Sequence, residues 1–329
     1  MEMKKWVVVG IIMMLVVASG GSSLVLAKTT LRLAHVYNLD NAWHKGSALA
    51  AKLVKERTNG EIEIEIFPAS QLGTEEQITE AVIFGSIDIC VSGAGQIGNL
   101  FKPINVTEMP YTFQDIPHVL RFAKSEIGQQ MFADLEEEFA VKVLGASSYG
   151  IRQIVSNKPI RTPDDLEGMK FRVPEQAIWI EVIKAMGANP TPIAYSEAYM
   201  ALQQKLVDGL DNPLSGIKSM KFYEVADYIN LTSHVTICCF FLMNDMRFQG
   251  VSQEHQEIIL EAFDEASQHI ADILMTEDQE LGSFFEEKGL TIIKPDIEAF
   301  RKATAEMPQK FRKWWIRYGE DLHQRIQNL

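Results

Sequence analysis

The sequence predicts an α/β fold divided into two domains. Apolar runs of strand length alternate with segments of helical periodicity from residue 31 to residue 210, a pattern typical of helices packed on mainly parallel sheets. The chain has 329 residues, more than the roughly 100–200 of a single domain. A helical pattern from Ser252 to about Lys288 far exceeds the usual length of about 11–12 residues. We therefore expect this helix to cross from one domain to the other.

The first 27 residues have the features of a secretory signal peptide. Lys4 and Lys5 precede an apolar run at residues 6–17, and the small residue Ala27 ends the segment. The run is shorter than the roughly 20 apolar residues that span a bilayer. We therefore expect export and cleavage after Ala27, with an uncleaved membrane anchor as the alternative.

The first part of the mature chain alternates strands and helices. Strict alternation in EIEIEIF places its three isoleucines on one inward face, and a capping box formed by Thr74 and Gln77 opens the second helix. The predicted strands are 31–36, 61–67, the run IDICVSG and the run VKVLGA, and the predicted helices are 43–57, 75–84 and 115 to about 139.

The second part begins near Tyr149. Thr162 and Pro163 supply an N-cap and a first-turn proline for a short helix, and the strand MKFRVP has Phe171 and Val173 on one face. The other predicted elements are strands in YGIRQIVSN, at about 207–210 and in ICCFFLM, and helices at about 175–186 and 197–207.

The composition argues against nucleic acid as a partner. The chain has 31 Lys and Arg against 44 Asp and Glu, a net charge of −13, and no basic cluster of the kind that phosphate binding needs. The cysteines Cys90, Cys238 and Cys239 lack CxxC spacing and paired histidines. We therefore expect buried free thiols, no metal site and no cofactor.

One short motif, Gly93-x-Gly95-x-x-Gly98, has the spacing of a dinucleotide-binding fingerprint. That fingerprint also needs a helix running well past the third glycine and an acidic residue about 20 positions further on. Two prolines interrupt the following segment, and the position expected to be acidic is His118. We therefore expect a small-residue loop at the carboxyl end of a strand, the edge where open α/β sheets bind ligands.

No catalytic motif is present, since GxSxG, HExxH, GxxxxGK[ST] and the EF-hand loop are all absent. Two arginines stand out, because Arg152 in YGIRQIV and Arg172 in KFRVP lie in the middle of apolar strands. A buried guanidinium needs an anionic partner, and its planar fork matches a carboxylate or a phosphate. From spacing alone the choice stays open between an internal acid (Asp88, Asp208 or Asp211) and an exogenous anion.

Four segments resemble the periplasmic solute-binding proteins of TRAP (tripartite ATP-independent periplasmic) transporters, the DctP-like family: NGEIEIEIFPASQLG, DLEGMKFRVP, MGANPTPIAYSEAYMALQQKLVDGLDNP and KFYEVADYI. The resemblance covers the chain from about Leu31 almost to its end. It implies a periplasmic binding protein (venus-flytrap) fold with crossing strands and a long interdomain helix. Domain I would comprise 28–149 plus about 238–277, and domain II 150–237 plus about 278–329, with the ligand cleft between them.

The same resemblance implies a binding role rather than an enzymatic one. A monomeric periplasmic protein would capture a small carboxylate and deliver it to the small and large membrane subunits of a permease. Arg172 would bind the ligand carboxylate and Arg152 would support it. The remaining residues expected at or near the cleft are Asn212, Tyr195, Glu75, Gly93, His35, Asn38 and Trp179.

The ligand is left open between two kinds of acid. Gly93 replaces an acidic side chain found in sialic-acid-binding relatives, which argues against sialic acid and for a wall with spare room. Trp179 fits either a sugar-stacking role or the core. These features favour a sugar acid, such as a hexuronate or an aldonate, over a C4-dicarboxylate. A periplasmic enzyme and a ligand-sensing subunit are the alternatives from other classes.

Overall fold

The computed structural model describes residues 28–329, so the predicted signal peptide lies outside the described residues. Ten strands are present in this range: β1 (Thr29–Ala34), β2 (Ile62–Phe67), β3 (Ile89–Gly93), β4 (Val141–Ser156), β5 (Lys170–Val173), β6 (Asn189–Pro192), β7 (Gly209–Pro213), β8 (Tyr228–Asn230), β9 (Thr236–Asn244) and β10 (Thr291–Ile293).

The α-helices of the same range are α1 (Ala42–Arg57), α2 (Glu75–Ile83), α3 (Ala94–Leu100), α4 (Ile116–Lys124), α5 (Glu126–Phe139), α6 (Ala177–Met186), α7 (Ala198–Gln203), α8 (Leu214–Ser219), α9 (Asp245–Gln249), α10 (Gln253–Glu287), α11 (Ile297–Thr304), α12 (Met307–Phe311) and α13 (Leu322–Gln327). Short 3-10 helices lie at Lys102–Glu108, Pro163–Leu166, Tyr195–Glu197, Phe222–Glu224, Arg312–Trp314 and Ile316–Tyr318. Across residues 28–329, none of the helices combines the length and the apolar character needed to cross a membrane.

The strands form a mixed sheet that runs through both parts of the chain. Their order is β2-β1-β3-β9-β4-β7-β5-β6, with β8 paired to β4 and β10 paired to β8. Every antiparallel pair involves β4 or β9, and the other pairs are parallel. The sheet, expected to be mainly parallel, is therefore antiparallel along its central strands.

The central strand β4 connects the two parts of the chain. Its first residues pair with β9 and its last residues with β7 and β8. The prediction of two separate strands, VKVLGA and YGIRQIVSN, is wrong, because β4 is one strand of 16 residues. A bulge between Ser148 and Gly150, where Gly150 has a φ of +114°, bends the strand without ending it.

The long helix expected from the sequence is confirmed as α10, which spans 35 residues and is capped by the Ser252 side chain. Small residues bring it close to its neighbours. Ser147 on β4 donates a hydrogen bond to the Ser267 carbonyl at 2.7 Å, and a Cβ on Gly46 of α1 would lie 2.4 Å from Ile270 Cγ1. The helix α10 therefore packs against both α1 and β4.

Two local predictions are corrected. The single helix expected from residue 115 to about 139 is broken at Ser125, whose side chain caps α5, and Gly128 avoids a Cβ that would lie 2.1 Å from the Phe122 carbonyl oxygen. The loop expected at the glycine motif is instead the start of α3, which follows directly after Gly93 and ends at Leu100.

The C-terminal segment contacts both parts of the chain. Lys310 Nζ lies 2.7 Å from Glu181 Oε2 on α6, while His118 Nε2 on α4 lies 2.8 Å from the Ile326 carbonyl oxygen. The assignment of about 278–329 to the second domain, like the domain division as a whole, stays a prediction.

Candidate ligand-binding site

A cavity lies between the two predicted domains, where α2, α3, the middle of β4 and the carboxyl ends of β5 and β7 meet. Its atom-free space, including the opening to solvent, is about 660 Å³. Seven of the nine predicted site residues line it: Arg172, Arg152, Asn212, Tyr195, Glu75, Gly93 and Trp179.

Arg172 is buried in the cavity wall and is 1% exposed. Its Nε donates to the Ile193 carbonyl at 2.9 Å, but its buried Nη2 has no hydrogen-bond partner within residues 28–329. Burial, reinforced by the positive charge of Arg152, lowers the pKa of Arg172 to about 10. The side chain therefore carries its charge at neutral pH, and it belongs to the cavity wall with one donor unpaired among the described residues.

Arg152 differs from Arg172 because it has an internal counterion. Its Nε and Nη2 donate to the two carboxylate oxygens of Asp211 at 2.5 and 2.9 Å, and His234 Nε2 lies 3.0 Å from the same carboxylate. Asp211 has a pKa below its usual range: its burial would raise the pKa, but the charge of Arg152 and the hydrogen bonds from His234 and Arg152 outweigh it. The internal-acid alternative thus holds for Arg152, and the charge of this pair is neutralised.

Two tyrosines and an asparagine form one polar side of the cavity. The hydroxyl groups of Tyr149 and Tyr195 lie 2.8 Å apart, and Asn212 Nδ2 lies 3.5 Å from the Tyr195 hydroxyl. Burial raises the pKa of both tyrosines. The buried Oδ1 of Asn212 has no hydrogen-bond partner within the described part of the chain.

The space expected at Gly93 is filled by Glu75. The Gly93 N–H donates to Glu75 Oε1 at 2.7 Å, and a Cβ on Gly93 would lie 3.3 Å from that oxygen. Gln176 Nε2 donates to Glu75 Oε2 at 3.3 Å. Burial raises the pKa of Glu75, against the opposing effects of the Gly93 N–H and the charge of Arg172. The expectation of spare room is wrong, because the glycine admits the Glu75 carboxyl group to the wall.

Trp179 is buried against Arg152. The Arg152 guanidinium carbon lies 4.3 Å from the centre of the indole ring, and the side chain is 1% exposed. One face of the indole is therefore occupied by a cation, as in other cation–π pairs, which favours the core role over sugar stacking.

The thiols are free, as expected, and Cys239, unlike Cys238, lines the cavity.

His35 lies behind the cavity wall. Its Nδ1 accepts the Tyr37 backbone N–H at 3.2 Å, and its Nε2 lies 3.2 Å from His44 Nδ1. Burial and the neighbouring His44 lower the pKa of His35 to about 3, so the ring is neutral at physiological pH. His35 does not line the cavity, and this geometry gives no support for a ligand contact from it.

Hydrogen bonds join the two predicted domains on both sides of the cavity. On one side, Asn99 on α3 donates to the Glu175 carbonyl at 3.1 Å. On the other, Ser219 donates to Asp40 Oδ1 at 2.6 Å and accepts from Asn38 Nδ2 at 3.0 Å through its carbonyl. The cleft is therefore closed in this structure. Asn38 does not line the cavity; its side chain contributes one of the hydrogen bonds between the two predicted domains.

Sequence reasoning missed several residues of the wall, among them Tyr149, Gln176 and Glu108. Glu108 is 1% exposed, and neither carboxyl oxygen has a hydrogen-bond partner within residues 28–329. The sequence feature that could have identified Glu108 is its isolation, because it is the only acidic residue in the stretch KPINVTEMPYTFQ. An isolated acid in such a stretch indicates either an exposed turn or a functional carboxyl group.

Replacing Gly95 with alanine is expected to weaken ligand binding by opening the closed cleft. A Cβ on Gly95 of α3 would lie 2.2 Å from Gln176 Oε1 and 2.9 Å from Trp179 Nε1, and both of these residues belong to the other predicted domain. Overpacking of this kind costs about 1–3 kcal/mol, which corresponds to a loss of roughly 5- to 150-fold in affinity. Calorimetric titration would measure the change.

The matched control is Gly282→Ala, because no atom lies within 4 Å of a Cβ at that position. Equal affinities for the Gly95→Ala and Gly282→Ala proteins would show that α3 and α6 do not need this close approach for binding.

The site has the features of a receptor for a small anion. Residues 28–329 contain no group of three His, Cys, Asp or Glu side chains placed to hold a metal ion. What the geometry offers instead is a closed cleft between two α/β halves, lined by a buried guanidinium with an unpaired donor. These features define the class of two-domain solute-binding proteins.

The chain belongs to the bacterial extracellular solute-binding protein family 7, DctP, whose family model matches residues 33–313. It is 30% identical to the sialic acid-binding periplasmic protein SiaP of Vibrio cholerae, over 87% of this chain and 89% of that protein. The predicted resemblance to TRAP solute-binding proteins is thereby confirmed.

Solved structures of TRAP periplasmic solute-binding proteins have the same fold. One from Roseobacter denitrificans with bound L-galactonate is 31% identical, with a TM-score of 0.81, over 84% of this chain and 92% of that chain. Another from Roseobacter denitrificans, with bound β-D-glucuronate, is 28% identical, with a TM-score of 0.86, over 91% and 99% of the two chains. The two-domain binding-protein fold predicted from the sequence is confirmed by these likenesses.

Proposed function

We propose that this protein captures a sugar acid outside the cytoplasm, binds its carboxylate through Arg172 and delivers it to the membrane subunits of a TRAP transporter. The observation that carries this proposal is the buried Nη2 of Arg172, which has no partner in residues 28–329 and belongs to a side chain of the cavity wall. A ligand carboxylate would accept hydrogen bonds from it in the planar geometry that suits a guanidinium.

The charges around the cavity favour one ligand carboxylate over two. Arg152 is neutralised by Asp211, which leaves Arg172 as the cation of the wall without an acidic partner among the described residues. A second carboxylate on the ligand would face Glu75, an acidic group on the same wall. Like charges brought together in a closed, desolvated site oppose binding, so the balance supports a sugar acid rather than a C4-dicarboxylate.

The polar side of the cavity supports a ligand with hydroxyl groups. Asn212 Oδ1 is an unpaired acceptor, and the paired hydroxyls of Tyr149 and Tyr195 both donate and accept. L-galactonate and β-D-glucuronate, the ligands of the two related structures, combine one carboxylate with several hydroxyl groups. Export across the membrane, cleavage after Ala27 and delivery to a permease are the parts of the proposal that follow from family membership and the N-terminal pattern.

A thermal-shift screen followed by calorimetry tests this function. The panel is D-glucuronate, D-galacturonate, L-galactonate, succinate and sialic acid. We expect at least one of the three sugar acids to raise the melting temperature, because a ligand that binds only the folded state stabilises it. Succinate and sialic acid should bind more weakly or not at all. A panel in which succinate binds best, or in which pure protein converts an acid to a product, would contradict the proposal.

Ligand is expected to shift the protein toward the closed form. In the closed cleft the charge of Arg172 is buried without a counterion from residues 28–329, which disfavours closure until a carboxylate pairs with it. Small-angle scattering should therefore give a smaller radius of gyration with saturating sugar acid than without it. Superimposable scattering curves with and without a ligand of proven binding would contradict this mechanism.

A further inference from the structure

We propose that Glu108 contacts the ligand and recognises one of its hydroxyl groups, which makes it a second specificity-determining residue opposite the carboxylate-binding arginine. This inference rests on the proposed function, because it requires a hydroxylated acid in the cavity. Three observations carry it: the side chain lines the cavity, it is 1% exposed, and both of its oxygens are buried without a hydrogen-bond partner in residues 28–329.

A structural role does not account for Glu108. The guanidinium of Arg152, which lies in the same region, already donates hydrogen bonds to both carboxylate oxygens of Asp211. The Trp179 indole favours the ionised form of Glu108 but forms no hydrogen bond of good geometry with it. A buried polar group without a partner is costly, and a protein retains such a group at a cleft when a ligand completes its hydrogen bonds.

The environment of Glu108 makes its carboxyl group a donor as well as an acceptor at neutral pH. Burial, opposed by the charge of Arg152, raises its pKa to about 8. A protonated carboxyl group can donate one hydrogen bond to a ligand oxygen and accept another from a ligand hydroxyl. The charged and titratable groups that act on it from the packed elements are Arg152 on β4, Glu75 on α2, Asp211 on β7, and Cys238 and Cys239 on β9.

Substitution by leucine separates ligand recognition from structural support. Glu108→Leu removes both oxygens at similar volume. The ligand-free protein should melt at the wild-type temperature or above it, because an unsatisfied buried group is gone. Affinity for the best-bound sugar acid should fall by about 10- to 100-fold, since a buried ligand hydroxyl loses its partner. Glu108→Gln, which keeps a donor and an acceptor, should retain more affinity than the leucine variant.

A pH profile gives a second test that does not depend on the leucine variant. Above pH about 8, Glu108 ionises next to a bound anion, so the wild-type affinity should fall by up to about tenfold between pH 7 and pH 9. Glu108→Gln should remove this fall. The range stops below the pKa of about 10 of Arg172, and burial holds the pKa of both thiols well above it.

The outcomes distinguish this inference from the function on which it rests. If no sugar acid binds the wild-type protein, the proposed function fails and the inference with it. If a sugar acid binds but Glu108→Leu binds it within about twofold of wild type, or if wild type and Glu108→Gln share one pH profile, the role of Glu108 is refuted while the proposed function stands. A ligand-free Glu108→Leu protein that melts well below wild type would indicate structural support and also refute the inference.

Discussion

The Arg172→Lys protein is expected to bind its sugar acid about tenfold more weakly or worse, and Arg172→Ala by about 10²–10³-fold or more. In the proposed complex the guanidinium and the ligand carboxylate would form a buried pair, and removing one partner of such a pair costs ~3–5 kcal/mol. Lysine keeps the charge but lacks the planar fork. Calorimetric titration of each variant with the acid that wild type binds best measures the loss.

The matched control is Arg247→Lys. Arg247 also pairs through its guanidinium, with Asp88 at 2.7 Å, but its side chain is 46% exposed and does not line the cavity. We expect this variant to bind like wild type. A correctly folded Arg172→Lys protein with wild-type affinity would remove the role assigned to Arg172.

The Asp211→Asn protein is expected to lose about 3–5 kcal/mol of unfolding free energy, because Arg152 would stay buried without its counterion. Asp211 is fully buried between Arg152 and His234. Urea denaturation measures the loss. The control is Asp264→Asn, which removes an ion pair with Lys124 whose side chains are 62% and 64% exposed; exposed pairs contribute about 0–1 kcal/mol.

Lowering the pH should reduce the difference in unfolding free energy between the wild-type protein and the Asp211→Asn protein. The pKa of Asp211 lies below its usual range in the folded protein, so its charge contributes stability that is complete above the unfolded pKa of about 3.9 and is lost as the pH falls below it. The difference between the two unfolding free energies should therefore begin to shrink below about pH 4 and continue to shrink until the pH has fallen through the folded pKa. A constant difference between pH 6 and pH 3 would show that Asp211 stabilises the fold by some means other than its charge.

Local patterns predicted most of the fold, because they depend on few neighbours. The periodicity of α10, the capping box of α2 and the alternation in β2 all use side chains close in sequence. The failures have the opposite cause. The joining of two predicted strands into β4 depends on a bulge at Gly150 and on pairing with β9, more than 80 residues away in sequence, which no local pattern specifies.

The site was predictable in its residue types but not in its pairings. Arg152 and Arg172 look alike in sequence, each in the middle of an apolar strand. The antiparallel register of β4 with β7 pairs Ile154 with Asp211. This register brings the Asp211 carboxylate to Arg152, two residues before Ile154 on the same strand. Gly93 was expected to leave space, yet Glu75 from α2 fills it. Both outcomes depend on contacts between distant segments.

A crystal structure of the protein with the best-bound sugar acid tests the central claim most directly. The account predicts a closed cleft in which the ligand carboxylate accepts hydrogen bonds from the Arg172 guanidinium at about 2.7–2.9 Å. A ligand carboxylate bound elsewhere, with Arg172 Nη2 still unpaired or paired to an acidic side chain of the protein, would contradict it.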